Sequence, residues 1–310
     1  MTRIALTGGT GFIGAALIDQ LLEADFTVRA LARNTRRLTQ AGEIEVVEGD
    51  LENRAALERL ADGADAFIHL AGETHAPSEQ DYARINVGGA ARAAEAAARA
   101  GARFIHASSL SARRPETSPY ARSKFDSEKA VADASAGNEF VALRLPAIYG
   151  PGDLVTLPYF KLLKSGFAFE PATESPARAS LLFVEDAAGA FIAAIGKGAA
   201  GAVYEVEDEA PDGRQWSEIG KTLSGVFGNN AMAFRIPKPA VALLHEGVRA
   251  AESIFGKTPS IRQGQVNELF HPDWVARDNL FGAATGWRPQ TPLKEGFAKT
   301  VRWYQEQGLL

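Results

Sequence analysis

The sequence predicts an α/β protein with a doubly wound parallel sheet and a smaller, mostly helical substrate domain. Short apolar runs typical of strands alternate with helix-forming runs through the first half of the 310 residues. The first of these strands leads directly into a glycine-rich turn. After Gly150-Pro151-Gly152, the alternation gives way to aromatic and proline-rich segments and then to helices separated by prolines.

Each element is predicted from its residue pattern. Strands are expected from Ile4 and at 27–32, 43–47, 66–70, 103–107, 140–145 and 202–206, and helices at 15–22, 55–60, 82–100 and 120–134. Such alternation gives a parallel sheet that binds ligands at the carboxyl ends of its strands. We therefore predict a dinucleotide-binding domain of residues 1–150 and 183–206, and a substrate domain of residues 151–182 and 207–310.

The turn after the first strand contains three regularly spaced glycines, Gly8, Gly11 and Gly14, with Thr10, Phe12 and Ile13 between them. Gly8 allows a sharp turn, and Gly11 leaves no side chain between the backbone and a phosphate. Gly14 lets the helix pack closely on the strand, and the N–H groups at the helix start face the anion. Between a strand and a helix, this spacing predicts a Rossmann-type dinucleotide site.

The end of the second strand indicates which nucleotide binds. The segment 32–37 carries Arg33 and Arg36 where NAD-binding proteins usually have a carboxylate for the ribose hydroxyls. Because arginine binds phosphate well, we predict NADP(H). The alternatives are a solvated basic loop and NAD as the cofactor. Asp50 and Leu51 are expected at the adenine edge, although Asp50 also suits a helix N-cap.

A catalytic group is predicted on the helix 120–134. Tyr120 and Lys124 lie one turn apart on one face. A phenol with a pKa near 10 needs a nearby cation to work as an acid–base at neutral pH, and Lys124 can supply that charge. Ser108 and Ser109 end the fifth strand, where a hydroxyl can bind a substrate oxygen.

These features together resemble the extended branch of the short-chain dehydrogenase/reductase family, which includes nucleotide-sugar epimerases and dehydratases. The matching segments are 7–14, 49–51, 69–72, 85–89, 108–109, 120–124, 143–152 and 285–289. The resemblance implies that Tyr120 is the general acid–base, that Lys124 lowers the pKa of Tyr120 and binds the nicotinamide ribose, and that Asn86 supports the lysine. It also implies that Ser109, or failing that Ser108, orients the reacting oxygen. Further expected cofactor contacts are Leu70, Ala71, Gly72, Pro146 and Ile148.

Departures from the family pattern bear on the reaction. Dehydratases of the family carry an Asp-Glu pair directly after the catalytic hydroxyl, whereas this chain has Leu110 and Ser111. Pro146-Ala147 stands where many nucleotide-sugar enzymes have an asparagine. Arg262, in contrast, resembles the arginine that grips a diphosphate in those enzymes, although it suits a surface position equally well.

We therefore predict an NADP(H)-dependent oxidoreductase that acts on a carbonyl or alcohol of a small substrate. The alternatives are a nucleotide-sugar epimerase that retains its NAD, and a nucleotide-binding protein without catalysis. A net charge of −5 argues against nucleic acid or an anionic membrane as a partner. The absence of cysteine excludes thiolate metal sites, and no metal is expected. The short N-terminal lead and the lack of a long apolar run favour a cytoplasmic protein, and the resemblance implies a homodimer.

Two histidines, His69 and His106, alternate into predicted strands. We expect both to be packed or hydrogen-bonded inside the protein rather than to bind a ligand.

Overall fold

The computed structural model describes residues 2–35, 38, 40, 42–243 and 263–310. The strands are β1 (Arg3–Thr7), β2 (Thr27–Ala32), β3 (Glu45–Glu48), β4 (Ala66–His69), β5 (Arg103–Ser109), β6 (Phe140–Leu145), β7 (Ala147–Tyr149), β8 (Phe167–Ala172), β9 (Arg178–Ala179), β10 (Leu181–Phe183), β11 (Ala202–Glu205), β12 (Arg214–Gln215), β13 (Met232–Pro237) and β14 (Asp273–Trp274). Seven of them form one parallel sheet in the order β11-β6-β5-β4-β1-β2-β3. The predicted doubly wound fold is confirmed.

Helices cover both faces of this sheet and build the second part of the chain. They are α1 (Phe12–Glu23), α2 (Arg54–Ala61), α3 (Glu79–Tyr82), α4 (Gly89–Ala100), α5 (Pro119–Ala134), α6 (Leu157–Lys164), α7 (Val184–Gly196), α8 (Trp216–Phe227), α9 (Gln263–Leu269), α10 (Phe281–Thr285) and α11 (Leu293–Glu306). Within the described residues, none of the helices combines the length and the apolar character needed to cross a bilayer.

Strand alternation divides the core into two layers. Ile4, Leu6 and Ile68 point to the face covered by α1 and α7, whereas Ala5 and Phe67 point to the face covered by α2, α4 and α5. Because successive side chains of a strand point to opposite faces, a central strand with both faces buried must be apolar throughout. The short apolar runs of the sequence have this composition.

A third apolar cluster lies outside the large sheet. It joins α6, α8 and α11 through side chains such as Phe160, Leu223 and Phe297. Short strand pairs accompany these helices: β7 pairs with β10, β8 with β13, and β9 with both β12 and β14. This part of the chain therefore mixes helices with small sheets, and the division into two domains stays a prediction.

The predicted single helix at 82–100 is wrong in detail. The structure begins earlier with α3, continues as a π-helical segment at Ala83–Gly88, and becomes α-helical only at Gly89. Asn86 is buried within the π segment, where its amide bonds the backbone of Glu73 in the preceding loop. The spacing of apolar residues gives no sign of this wider π-helical winding, because the Asn86 hydrogen bonds that accompany it are made with a separate loop.

The packing of Gly14 gives a stability prediction. A Cβ at this position would lie 2.1 Å from the Gly8 carbonyl oxygen, which the backbone can relieve only by moving. We expect Gly14→Ala to lower the free energy of unfolding by about 1–3 kcal/mol, the usual cost of overpacking. Urea denaturation measures this change.

The matched control is Gly225→Ala in α8, where an added Cβ meets nothing within 4 Å. Alanine at this exposed helical site should stabilise the protein by about 0.5–1 kcal/mol. Equal unfolding free energies for Gly14→Ala and the wild type would contradict the tight contact.

Candidate active site

The glycine turn forms a cradle made of backbone. Gly8 has a φ of +80°, and a Cβ there would lie 2.6 Å from the Ala71 nitrogen. The next helix, α1, begins after Gly11 with no side-chain cap and no acidic residue in its first turn. The N–H groups of that turn therefore remain available for an anion. This geometry fits the pyrophosphate of a dinucleotide.

A cleft of about 300 Å³ opens above this turn at the carboxyl ends of the strands. Nine of the residues predicted to bind cofactor line it: Gly8, Thr10, Gly11, Arg33, Asp50, Leu51, Leu70, Ala71 and Gly72. Nine further residues line it that the sequence did not mark as cofactor contacts: Thr7, Leu31, Ala32, Gly49, Glu52, Glu73, Arg84, Ile85 and Arg92. The alanine-rich helix pattern gave no reason to choose the two arginines, since exposed helix positions often carry charge.

The remaining predicted cofactor contacts lie around this cleft. Phe12 lies in a neighbouring groove with Gly152, whose added Cβ would contact the Phe12 ring at 3.4 Å. Ile13 packs against the core beneath the turn. Pro146 is buried after β6, and Ile148 pairs with Leu182 in the small β7–β10 sheet. Their contact with a cofactor stays a prediction.

The end of the cleft next to β2, where the adenosine is predicted to bind, is polar. Arg33 is exposed there, and Arg36 lies outside the described residues. Arg84 bridges Glu52 at 3.1 Å and Asp81 at 3.0 Å. Arg92 donates a 2.6 Å hydrogen bond from Nε to the Leu51 carbonyl, which fixes the loop that lines the cleft.

The alternative role of Asp50, as the N-cap of the following helix, is wrong. Asn53 is the N-cap of α2, and its side chain accepts a hydrogen bond from the Ala56 N–H. The Asp50 carboxylate instead accepts from the N–H groups of Glu52 and Asn53 in the turn before the helix. Asp50, Glu52 and Asn53 thus form a hydrogen-bonded turn in front of α2, and the cap falls on the last of them.

Tyr120 lies in the first turn of α5, directly after the N-cap Ser118 and Pro119. Its phenol lies next to the Ser109 hydroxyl at the end of β5, which acts to lower the pKa of Tyr120. Burial, the largest effect, and the charge of Glu268 raise this pKa, and the net shift is upward. The phenol is therefore held in its protonated form, and the lowering of its pKa by Lys124 that the resemblance implied stays a prediction.

The two adjacent serines of β5 differ in their surroundings. Ser108 is buried and donates a 2.5 Å hydrogen bond to Glu128, whose carboxylate also receives two 2.8 Å hydrogen bonds from Arg144. Ser109 is half-buried and contacts Tyr120. Since neighbouring strand residues point in opposite directions, only one serine of the pair can face the cleft.

Lys124 lies under the cleft with its ammonium buried. Its Nζ donates a 2.8 Å hydrogen bond to the Ala107 carbonyl, and a Cβ on Gly72 would be 3.6 Å from this nitrogen. Burial lowers the pKa of Lys124 to about 8, although the nearby carboxylate of Glu128 opposes the shift. The cation therefore lies one helical turn from Tyr120, between the strand end and the cleft.

Asn86 reaches the same region by an indirect route. Its amide donates to the Glu73 carbonyl at 3.0 Å and to the Ser123 hydroxyl at 2.9 Å, and its oxygen accepts from the Glu73 N–H. These contacts tie the loop at Gly72 to helix α5. Support of Lys124 by Asn86, as the resemblance implied, stays a prediction.

His69 and His106 form a buried stack next to Lys124, with ring centroids 5.7 Å apart. His69 hydrogen-bonds Thr7 and His106 hydrogen-bonds Ser127. Burial and the charge of Lys124 lower the pKa of His69 to about 3 and that of His106 well below its usual value. Both rings are therefore neutral, and the prediction that they are packed inside the protein is confirmed.

A second, larger cavity of about 1080 Å³ opens beside Tyr120. Its walls include Tyr82 from α3, Val87 from the π-helical segment, Val155 from the loop before α6, and Glu268 from α9. Glu268 lies about 150 residues from Tyr120 in the chain, and no sequence motif marked it. Tyr120 thus faces this cavity, and one turn further along α5 the ammonium of Lys124 lies against Gly72 of the polar cleft.

The parallel sheet, the glycine cradle and the Ser–Tyr–Lys group define an enzyme of the nicotinamide-dependent Rossmann type. The model of the NAD-dependent epimerase/dehydratase family matches residues 4–206. The chain belongs to this family, within the extended short-chain dehydrogenases/reductases, as the sequence motifs indicated.

Several relatives align over almost the whole chain. A ceramide reductase of Caulobacter vibrioides is 39% identical, covering 99% of this chain and 96% of that protein. A 3 beta-hydroxysteroid dehydrogenase/Delta 5-->4-isomerase of Mycobacterium tuberculosis is 26% identical, covering 97% and 90%. The structure of a UDP-glucose 4-epimerase from Thermotoga maritima matches with a TM-score of 0.74 at 20% identity and covers 99% of each chain, which shows a shared fold.

The buried ammonium of Lys124 predicts a pH-dependent stability. Its pKa falls from 10.5 in the unfolded chain to about 8 in the folded protein. Below pH 8 the lysine is protonated in both the folded and the unfolded protein, and the folded protein bears the full cost of burying its charge. Between pH 8 and 10.5 the folded protein has released this proton, whereas the unfolded chain still holds it. The free energy of unfolding of the wild type should therefore rise relative to Lys124→Met across this window, by at most about 3 kcal/mol.

Chemical denaturation of both proteins without cofactor, from pH 7 to 10.5, measures this difference. Lys129→Met removes an exposed lysine from the same helix and serves as the control. A constant difference between wild type and Lys124→Met over the whole range would show that Lys124 is not buried as a cation.

Proposed function

We propose that this protein is an NADP(H)-dependent reductase that converts a ketone of a neutral, largely apolar substrate into an alcohol, with Tyr120 as the proton donor. The observation that carries the proposal is that Tyr120 lines the large cavity next to Ser109, one helical turn from Lys124, whose buried ammonium lies against Gly72 of the cleft. A carbonyl oxygen placed beside these hydroxyls would be next to both the cleft and the cavity.

The protein's own groups would act on the carbonyl oxygen. A nicotinamide bound in the cleft supplies the hydride. Ser109 donates a hydrogen bond to the oxygen as negative charge develops on it, and Tyr120 then transfers its phenolic proton to that oxygen. The Lys124 ammonium stabilises the resulting phenolate. Burial keeps the phenol of Tyr120 protonated beforehand, which suits the direction of reduction.

The cavity and the relatives support the choice of substrate. Its volume of about 1080 Å³ slightly exceeds the range of about 300–1,000 Å³ of most small-molecule sites. Tyr82, Val87 and Val155 give it apolar wall. The 39% identical relative is named a ceramide reductase, and a second relative is named for a steroid. We therefore propose a ketone in a lipid amide of the ceramide type as the substrate class.

The charges of the cavity argue against a nucleotide sugar. Among the described residues its lining holds four acidic side chains, Glu79, Glu116, Asp126 and Glu268, and one arginine, Arg122. These described residues would repel a diphosphate. Arg262, which resembles the diphosphate-binding arginine of nucleotide-sugar enzymes, lies outside the described residues. A nucleotide-sugar epimerase that retains NAD, the alternative from the sequence, would instead purify with bound cofactor and show no net cofactor turnover.

The first test is turnover by Tyr120→Phe. The wild type should oxidise NADPH in the presence of a soluble short-chain ceramide-type ketone. Loss of the proton donor should lower kcat by about 10²–10⁴-fold. The dissociation constant of NADPH, measured by fluorescence titration, should stay within twofold.

Tyr159→Phe is the matched control, since Tyr159 packs against Trp216 in the second part of the chain. It should retain the wild-type kcat. Full turnover by Tyr120→Phe would remove Tyr120 from the mechanism.

A second test addresses the nucleotide. Arg33 is exposed at the adenosine end of the cleft, where a 2′-phosphate would lie. Charge-assisted hydrogen bonds to phosphate are worth about 1.5–3 kcal/mol, so Arg33→Ala should weaken NADPH binding by about 10–100-fold. NADH binding should change much less, as calorimetric titration of both cofactors can determine.

Arg99→Ala removes an exposed arginine from the last turn of α4 and should affect neither cofactor. Equal weakening of NADPH and NADH by Arg33→Ala would show that Arg33 does not read the 2′-phosphate.

A further inference from the structure

Glu268 is an acidic residue of the second part of the chain that contacts the loop in front of Tyr120. One carboxylate oxygen accepts a hydrogen bond from Ser118, the N-cap of α5. The other accepts a 3.3 Å hydrogen bond from Ser111. Both serines come from the loop between β5 and α5, the elements that carry Ser109 and Tyr120.

Helix α9 is held firmly in this position. The Trp274 indole donates a 2.7 Å hydrogen bond to the Glu268 carbonyl, and Asn267 donates one of 3.1 Å to the Thr117 carbonyl. A Cβ on Gly264 would lie 2.6 Å from the Ser118 side chain, so the helix packs directly on the loop. The carboxylate therefore has a defined position relative to Tyr120.

The carboxylate keeps acceptor capacity toward the cavity. An ionised carboxylate offers about four acceptor positions, and the two serines use two of them. Glu268 is only partly buried and lines the same cavity as Tyr120. It lies close enough to Tyr120 for its charge to act on the phenol. A substrate whose carbonyl oxygen contacts Tyr120 would thus bring its neighbouring atoms toward Glu268.

We infer that Glu268 is a specificity-determining residue that accepts a hydrogen bond from an N–H or O–H group close to the carbonyl that Tyr120 protonates. This inference rests on the proposed function and names the chemical feature that the enzyme selects. A ketone flanked by an amide or a hydroxyl satisfies Glu268. A ketone without a donor leaves the carboxylate partly unsatisfied, and a phosphate ester at that position is repelled.

The test compares three soluble ketones of the ceramide type. One has its amide N–H and its primary O–H free, the second is N-methylated, and the third is O-methylated. The wild type should show a kcat/KM at least about tenfold lower for the analogue that lacks the recognised donor, because the acceptor position of Glu268 that faces the cavity then receives no hydrogen bond from the substrate. The affected analogue identifies whether the N–H or the O–H is recognised.

Glu268→Gln keeps the shape of the side chain and an acceptor for Ser118 but removes the charge. We expect its KM for the unmethylated ketone to rise about tenfold, with a smaller change in kcat. The ratio of its kcat/KM for the unmethylated ketone to that for the affected analogue should approach one. Its thermal midpoint and NADPH affinity should stay close to the wild type. A merely structural role of Glu268 would lower activity toward all three ketones equally.

Glu116→Gln is the matched control, because it removes an exposed carboxylate from the rim of the same cavity. It should retain the wild-type preference. The same preference in Glu268→Gln as in the wild type would overturn the inference.

Failure of the inference can be told apart from failure of the proposed function. A wild type that reduces none of the ketones contradicts the proposed function. Calorimetric titration of the three ketones into the NADPH-loaded wild type gives their relative affinities without turnover. Equal dissociation constants there overturn the role of Glu268, whether or not any ketone is reduced, and a tenfold difference that disappears in Glu268→Gln supports it.

Discussion

The buried ammonium of Lys124 is the constraint around which the floor of the site is organised. Its hydrogen bond to the Ala107 carbonyl joins helix α5 to the end of the central strand β5. A buried cation disfavours further positive charge nearby, and His69 and His106, stacked beside it, are held neutral. Glu128, one turn further along α5, favours the charged form of the lysine. Thus the charge of Lys124 on α5 interacts with groups of β4 and β5, including both histidines, below the cleft.

At the end of β5, the hydroxyls of Ser108 and Ser109 have different surroundings. Ser108 turns inward to the Glu128–Arg144 pair, whereas Ser109 turns toward Tyr120. The pleat of a strand enforces this division, since adjacent side chains point to opposite faces. The residues after Ser109 then continue the separation: Leu110 is buried, and the Ser111 hydroxyl contacts Glu268. Leu110 and Ser111 thus stand where dehydratases of the family carry an acidic pair. Leu110 is buried, and Ser111 donates a hydrogen bond to Glu268.

The electrostatics differ on the two sides of Tyr120. On one side, the glycine turn and the first turn of α1 offer backbone N–H groups without a competing carboxylate, which favours a phosphate. Among the described residues of the cavity wall, acidic side chains predominate. In the proposed function, a nucleotide would therefore occupy the cleft and a neutral substrate the cavity, and an anionic substrate would be disfavoured beside Tyr120.

The sequence by itself determined the features that depend on neighbouring residues. The spacing of Gly8, Gly11 and Gly14, the run of apolar strands and the one-turn separation of Tyr120 and Lys124 are local, and local geometry follows directly from spacing. From these, the sheet, the cleft and much of its lining could be predicted.

Only the tertiary structure decided which serine faces Tyr120, that Asn53 rather than Asp50 caps α2, and that the chain winds as a π-helix around Asn86. It also brought Glu268 to the site across about 150 residues of chain. The choice of cap depends on local hydrogen bonds within residues 50–56, where Asp50 and Asn53 are both suitable cap residues. The π-helical segment and the position of Glu268 depend on contacts between segments far apart in the chain, which leave no period in the sequence. Such contacts exist only once the segments have folded together.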